Sequence, residues 1–288
     1  MREGQERLGA PSALAATGVS VAFGGLLALD RVGVEVRPAE VVGLIGPNGA
    51  GKTTLFDCLS GLLACTGTIE LLGDDVTALG PHRRAAAGLG RSYQDARLFP
   101  TMTVLDALRT AAELHIRHAG ALAVVPATLP ARRAEAAATQ RATEVIDLLG
   151  LGGYVRKLVR ELSTGTRRIV DLGCLLVQRP SLILFDEPSS GIAQREAEAL
   201  GPLLLSIRQE TGAALLVIEH DMPLLLGIAE RLYALETGRV VAAGRPNAVV
   251  NHPEVIRSYL GDDLAAIYRS GTLATKRRRP LQATRKAR

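Results

Sequence analysis

Residues 46–54 read Gly-Pro-Asn-Gly-Ala-Gly-Lys-Thr-Thr, directly after the apolar run Val41-Val42-Gly43-Leu44-Ile45. That order constrains the fold more than any other stretch, because it calls for a buried strand, a glycine-rich turn and then a helix. The template G-x-x-x-x-G-K-[ST] spans Gly46 to Thr53. Glycines are needed in such a turn because the backbone itself must approach an anion. A helix starting near Gly51 points unpaired N–H groups and the positive end of its dipole at a phosphate. Lys52 can reach the terminal phosphates of a nucleotide, and the Thr53 hydroxyl can coordinate Mg²⁺. Pro47, Asn48, Gly49, Ala50 and Thr54 complete the expected nucleotide-binding stretch.

A chain of 288 residues buries a large core and has room for one large or two modest domains. Aromatic residues make up 3% of it and Trp is absent, so the core is aliphatic and the stacking platforms of single-strand nucleic-acid grooves are scarce. No specific nucleic acid is expected. Cys58, Cys65 and Cys174 lack a metal-type C-x-x-C spacing and read as reduced thiols of a cytoplasmic protein. Residues 1–20 do not read as a signal peptide, and no segment reaches the roughly 20 unbroken apolar residues of a membrane-spanning helix. The nearest, residues 119–131, is interrupted by Pro126 and Pro130.

The net charge of +5 is unevenly placed, since eight Lys and Arg residues follow the last acidic residue, Asp263. Without those eight positive charges the rest of the chain carries −3. The basic end reads as a solvated tail, with acidic lipid or RNA as the alternative ligand.

Val19–Phe23 and Val32–Val36 alternate around Gly24-Gly25 and predict antiparallel strands. Thr68–Leu71 predicts another strand, and Leu232–Glu236 with Arg239–Ala243 predict a hairpin around Thr237-Gly238. Ser181–Phe185 and Ala214–Ile218 are continuous apolar runs separated by a helical segment, the pattern of parallel strands buried on both faces. Between Thr103 and Gly150 strand signals vanish, which predicts an inserted helical unit broken near Val125.

Asp186 and Glu187 follow the run that ends at Phe185. Emerging from a buried strand beside the phosphate loop, the first carboxylate can hold the Mg²⁺ shell and the second can orient or deprotonate an attacking water. On an extended turn the two side chains would point in different directions.

With these residues in place, the chain resembles the ATP-binding subunits of ABC transporters from about Val19 to Gly261. The resemblance implies an α/β P-loop NTPase core with a parallel sheet, an antiparallel β subdomain and an inserted α-helical subdomain. It implies a tail at 1–18, a cassette at 19–262 with the helical part at about 95–165, and a basic tail at 263–288. It also implies ATP with Mg²⁺ as ligands. Gln94 resembles the glutamine that senses metal and nucleotide, His220 the histidine that contacts the terminal phosphate, and Phe23 the aromatic residue that stacks on adenine. Leu162-Ser163-Thr164-Gly165-Thr166 is similar to the signature segment, in which Ser163 and Gly165 face the nucleotide of a second ATPase subunit.

Phe23-Gly24-Gly25-Leu26, Arg97-Leu98-Phe99-Pro100, Ile218–Met222 and His252–Gly261 are similar to subunits of branched-chain or hydrophobic amino-acid importers. Transmembrane permease subunits, a solute-binding protein and the cytoplasmic face of the membrane follow from that resemblance. Thr164 and Thr166 depart from the usual Leu-Ser-Gly-Gly-Gln, and Ala193 from the usual Asp or Asn. A low-turnover partner in an asymmetric dimer, or a non-transport ATPase acting on ribosomes or nucleic acid, remain alternatives.

Overall fold

A computed structural model of the chain describes residues 11–93, 98–113, 129–190 and 194–259. β1 (Leu14–Phe23) turns at Gly24-Gly25 into β2 (Leu26–Val36), β3 (Val41–Ile45) leads into α1 (Lys52–Leu59), and β4 (Thr66–Leu71) is followed by β5 (Asp74–Asp75). After α2 (Pro81–Ala86) and β6 (Leu89–Arg91) come α3 (Val104–Glu113), α4 (Leu129–Leu148) and α5 (Thr164–Leu176). The remainder runs β7 (Leu182–Asp186), α6 (Gln194–Thr211), β8 (Ala214–Ile218), α7 (Met222–Ile228), β9 (Arg231–Glu236), β10 (Arg239–Gly244), α8 (Pro246–Val250) and α9 (Pro253–Tyr259).

Two sheets result. One is ordered β2-β1-β4-β5 and is antiparallel; the other is ordered β10-β9-β3-β8-β7-β6. In the second, β9, β3, β8, β7 and β6 all run parallel, and only β10 is reversed. Its inner strands β3, β8 and β7 are buried on both faces because each face supports a separate core. Ile183, Phe185, Leu215 and Val217 point into a core shared with α3 to α7, whereas Leu182, Leu184, Leu216 and Ile218 point into one shared with α1 and the antiparallel sheet. Period-two alternation sends neighbours to opposite sides, so a run without polar residues is what this layer requires.

Parallel strands end on one edge of a sheet. The loop after β3, the one after β8 and the one after β7 therefore emerge side by side, and β6 delivers Arg91 to the same edge. This is the rim at which open α/β sheets bind ligands.

The expected tail at residues 1–18 is too long. β1 begins at Leu14, pairs with β2 and β4, and buries Ala13, Leu14 and Ala16. Small residues in Leu-Ala-Ala-Thr-Gly conceal the alternation that marks the strand from Val19 onward. β2 likewise starts at Leu26, immediately after the turn, rather than at Val32. The helical insertion is present as α3 and α4, whereas the break near Val125 lies outside the described residues. Thr103 caps α3, its Oγ accepting from Asp106 N at 3.1 Å and donating to Asp106 Oδ2 at 2.6 Å.

The far end of α1 is closed by an unusual group. Arg84, fully buried, donates to the carbonyls of Cys58 at 2.6 Å, Leu59 at 2.8 Å, Leu79 at 2.8 Å and Thr77 at 2.9 Å. A cation at a helix C-terminus satisfies carbonyls that have no partner within the helix and complements the dipole. The helix whose start faces the anion site is thus held at its other end by charge.

Candidate nucleotide site

The loop between β3 and α1 closes as the glycine pattern demands. Gly46 has φ 153° and Gly51 φ 103°. A Cβ at Gly46 would collide with the Leu235 carbonyl, and one at Gly51 would approach the Ala28 carbonyl to 2.8 Å. The loop is braced by the β9–β10 turn, where Gly238 N donates to Ala50 O and its carbonyl accepts from Asp30 N, both at 2.9 Å. Among the described residues no side chain caps the N-terminus of α1 at Gly51, which leaves its first N–H groups without an intrahelical partner. Lys52 lies across the loop, donating from Nζ to Gly46 O at 2.7 Å and Pro47 O at 3.1 Å. Burial lowers its pKa, while the nearby charges of Glu187 and Asp186 push it back up.

Those carboxylates come from β7. Asp186 is buried at the strand end; burial raises its pKa and Arg91, 3.4 Å away, offsets part of the rise. Among the described residues Asp186 Oδ1 has no hydrogen-bond partner. Glu187 departs from the extended turn that its neighbours predict: φ is 51°, in the left-handed region. Such a conformation costs a non-glycine residue on the order of 1–2 kcal/mol. It is held by Glu187 N donating to Ile218 O and by Ser190 N donating to Glu187 O, both at 3.0 Å. Strain of this kind collects at functional sites. The turn brings Glu187 Oε1 to 2.9 Å from His220 Nε2, the histidine carried by the loop after β8.

Glu219 had no assigned role among the candidates, although it stands in the same run as His220. It is 1% exposed, and its carboxylate accepts from Ser189 N at 2.7 Å, Ser189 Oγ at 2.8 Å, His220 N at 3.0 Å and Asp221 N at 3.3 Å. One side chain thereby joins the loops that hold Glu187 and His220. Glu219→Ala strands three backbone donors and is expected to cost on the order of 3 kcal/mol in urea unfolding. An unchanged midpoint would remove this clamp from the account.

A cleft of about 390 Å³ is lined by Lys52, Thr53, Thr54, Asn48, Gly49, Gly51 and Glu187. Phe23, Leu26 and Leu27 also line it, with Phe23 52% exposed. Lys52 and Glu187 thus share one cleft. Gly46, Pro47 and Ala50 do not line it; the carbonyls of Gly46 and Pro47 hold Lys52, and that of Ala50 holds Gly238. Ser163 and Gly165 do not line it. Ser163 is the N-cap of α5, its Oγ accepting from Thr166 N at 3.1 Å and meeting Thr166 Oγ at 2.9 Å, so Thr166 reinforces the cap. Gly165 borders a second, more apolar cavity together with Glu187, Tyr93 and Phe185. Gln94 and Ala193 lie outside the described residues.

Residues 29–190, more than half of the chain, match the family model described as "ABC transporter". The chain belongs to the ABC transporter family. Residues 239–265 also match a model described as "Branched-chain amino acid ATP-binding cassette transporter". The chain is 37% identical over 250 residues to the "High-affinity branched-chain amino acid transport ATP-binding protein LivG" of Escherichia coli, covering 86% of this chain and 98% of that protein. It is 34% identical, with the same coverage, to the corresponding protein BraF of Pseudomonas aeruginosa. Among solved structures, an ATP-binding cassette of an ABC transporter in its ADP conformation superposes with a TM-score of 0.75 at 27% identity, covering 88% of this chain and all of that one. The expected P-loop cassette fold is therefore borne out, and this ABC protein binds ATP.

The donor set also fits Mg²⁺. A buried carboxylate with one oxygen unpartnered among the described residues and a threonine hydroxyl are hard oxygen ligands, and Mg²⁺ commonly takes one or two such ligands with the remainder from phosphates and water. Among the described residues no cluster of three or more His, Cys, Asp or Glu could hold a metal alone. No helix among them is long and apolar enough to cross a membrane.

Proposed function

We propose that this chain is the ATP-binding and ATP-hydrolysing subunit of an importer for branched-chain or other hydrophobic amino acids. The observation that carries the reading is the meeting of Lys52, Glu187 and His220 at one rim, in a chain alike to LivG over most of its length. The backbone of residues 46–54 and Lys52 hold the phosphates, and Phe23 stacks on the base. Glu187 takes the proton of the attacking water, while His220 keeps that carboxylate turned toward the terminal phosphate. Thr53, Asp186 and Gln94 hold Mg²⁺, which neutralises phosphate charge when bound.

Ser163 and Gly165 complete the site of a second cassette. Their position outside their own chain's cleft supports that role. Two nucleotides then favour the closed dimer only to the extent that they bind it more tightly than the open one, and hydrolysis removes that difference. Permease subunits receive the movement at the cytoplasmic face of the membrane, with a solute-binding protein delivering the amino acid. No specific nucleic acid takes part.

The test is reconstitution in vesicles with the native permease and solute-binding protein. Leucine, isoleucine or valine is expected to raise ATP turnover, with RNA having no effect. Turnover indifferent to every amino acid would overturn the cargo, and salt-sensitive RNA binding would favour a non-transport ATPase.

A further inference from the structure

Arg91 ends β6 with its side chain only 7% exposed, and no step above uses it. Three parts of the site meet on it. Nη1 donates to Asp57 Oδ1 at 2.6 Å and to Ser60 Oγ at 2.8 Å, at the far turn of α1. Nη2 donates to Asp186 Oδ2 at 3.4 Å. The guanidinium also lies 5.9 Å from the ring of Phe56, on α1, and 5.2 Å from the ring of Tyr93, the residue before Gln94.

The pattern on Asp186 is asymmetric. Arg91 engages Oδ2, and Oδ1 is buried with no partner among the described residues, as is Arg91 Nε. An unsatisfied buried polar atom costs about 1–3 kcal/mol, so stability alone does not account for this node. Holding one oxygen restricts rotation of the carboxylate and leaves the other free. Because α1 begins with Lys52 and Thr53, fastening Asp186 to Asp57 and Ser60 also fixes where that carboxylate stands relative to the phosphate loop. A planar guanidinium reaches all three acceptors as a rigid fork, which an ammonium point charge does not.

We infer that Arg91 is a positioning residue for the divalent cation of the nucleotide complex, orienting Asp186 through Oδ2 so that Oδ1 is the oxygen left for the metal, with Asp57 and Ser60 as its anchor. The inference rests on the functional reading above. It is tested by measuring binding of a fluorescent ATP analogue in excess EDTA and across a Mg²⁺ titration. The variants are Arg91→Lys, which keeps the charge and loses the fork, and Asp57→Asn, which keeps Arg91 and loosens its anchor.

Arg91→Lys is expected to bind nucleotide in EDTA as the unaltered protein does, but to need about ten- to a hundredfold more Mg²⁺ for half of the metal-dependent effect. Asp57→Asn shifts in the same direction by less, and carries the expectation alone if Arg91→Lys fails to fold. A lowered melting temperature with an unmoved Mg²⁺ midpoint overturns the inference, as does an equal loss of affinity in EDTA. If the unaltered protein binds the analogue without any response to Mg²⁺, the functional reading itself fails, and the control reveals it before any variant is compared.

Discussion

Glu187→Gln is expected to lower kcat for ATP hydrolysis by about 10²–10⁴, the usual contribution of a positioned general base, and to leave ATP affinity close to its original value. The substitution is nearly isosteric. The amide oxygen still accepts from His220 where Glu187 Oε1 now lies 2.9 Å from Nε2, and glutamine meets the same cost as glutamate at φ 51°. What disappears is the ability to take a proton. Under the proposed mechanism, nucleotide that binds without being consumed holds two cassettes closed, so the variant mixed with its partner cassette, a second copy or a different subunit, should also elute from size exclusion as a dimer in ATP and as a monomer without it. Turnover at the original rate would show that another group takes the proton.

Lys52→Ala acts earlier, on binding. A hydrogen bond to a charged group contributes about 1.5–3 kcal/mol, which corresponds to roughly ten- to hundredfold weaker ATP binding. The effect on the protein without nucleotide runs the other way. Lys52 is a buried ammonium whose pKa is depressed by desolvation, resting on two backbone carbonyls. Removing it relieves that burial, so thermal unfolding without ATP should stay level or rise while the upward shift caused by ATP shrinks. Unchanged ATP affinity would count against the phosphate-loop assignment.

Much of this site is legible in the chain because its determinants are local. The phosphate loop is set by glycines within nine consecutive residues, and the doublet Asp186-Glu187 is marked by the apolar run before it. Other features depend on partners far away in sequence. Arg91 binds a carboxylate 34 residues earlier and another 95 residues later, so nothing around it distinguishes it from a surface arginine. Glu219 is recognisable as a clamp only once Ser189, 30 residues before it, is beside it. The left-handed turn at Glu187 is equally hidden, since glutamate has no preference for that conformation and the loop imposes it. The early start of β1 escaped because alanines and a glycine blur the strand's alternation, not because the strand is irregular in its pairing there: Leu14, Ala15 and Ala16 face Val36, Glu35 and Val34 in simple register.

The strand order carries a consequence for synthesis. β3, the strand that bears the phosphate loop, lies between β8 and β9, so both of its neighbours come from residues 214–236. On the ribosome the early strand waits, with two bare edges, until most of the polypeptide has emerged. Such edges are templates for illicit pairing, and slow closure of distant contacts prolongs the exposure. A nascent fragment that stops before β8 carries the entire phosphate-binding motif but lacks both strands that pair with β3.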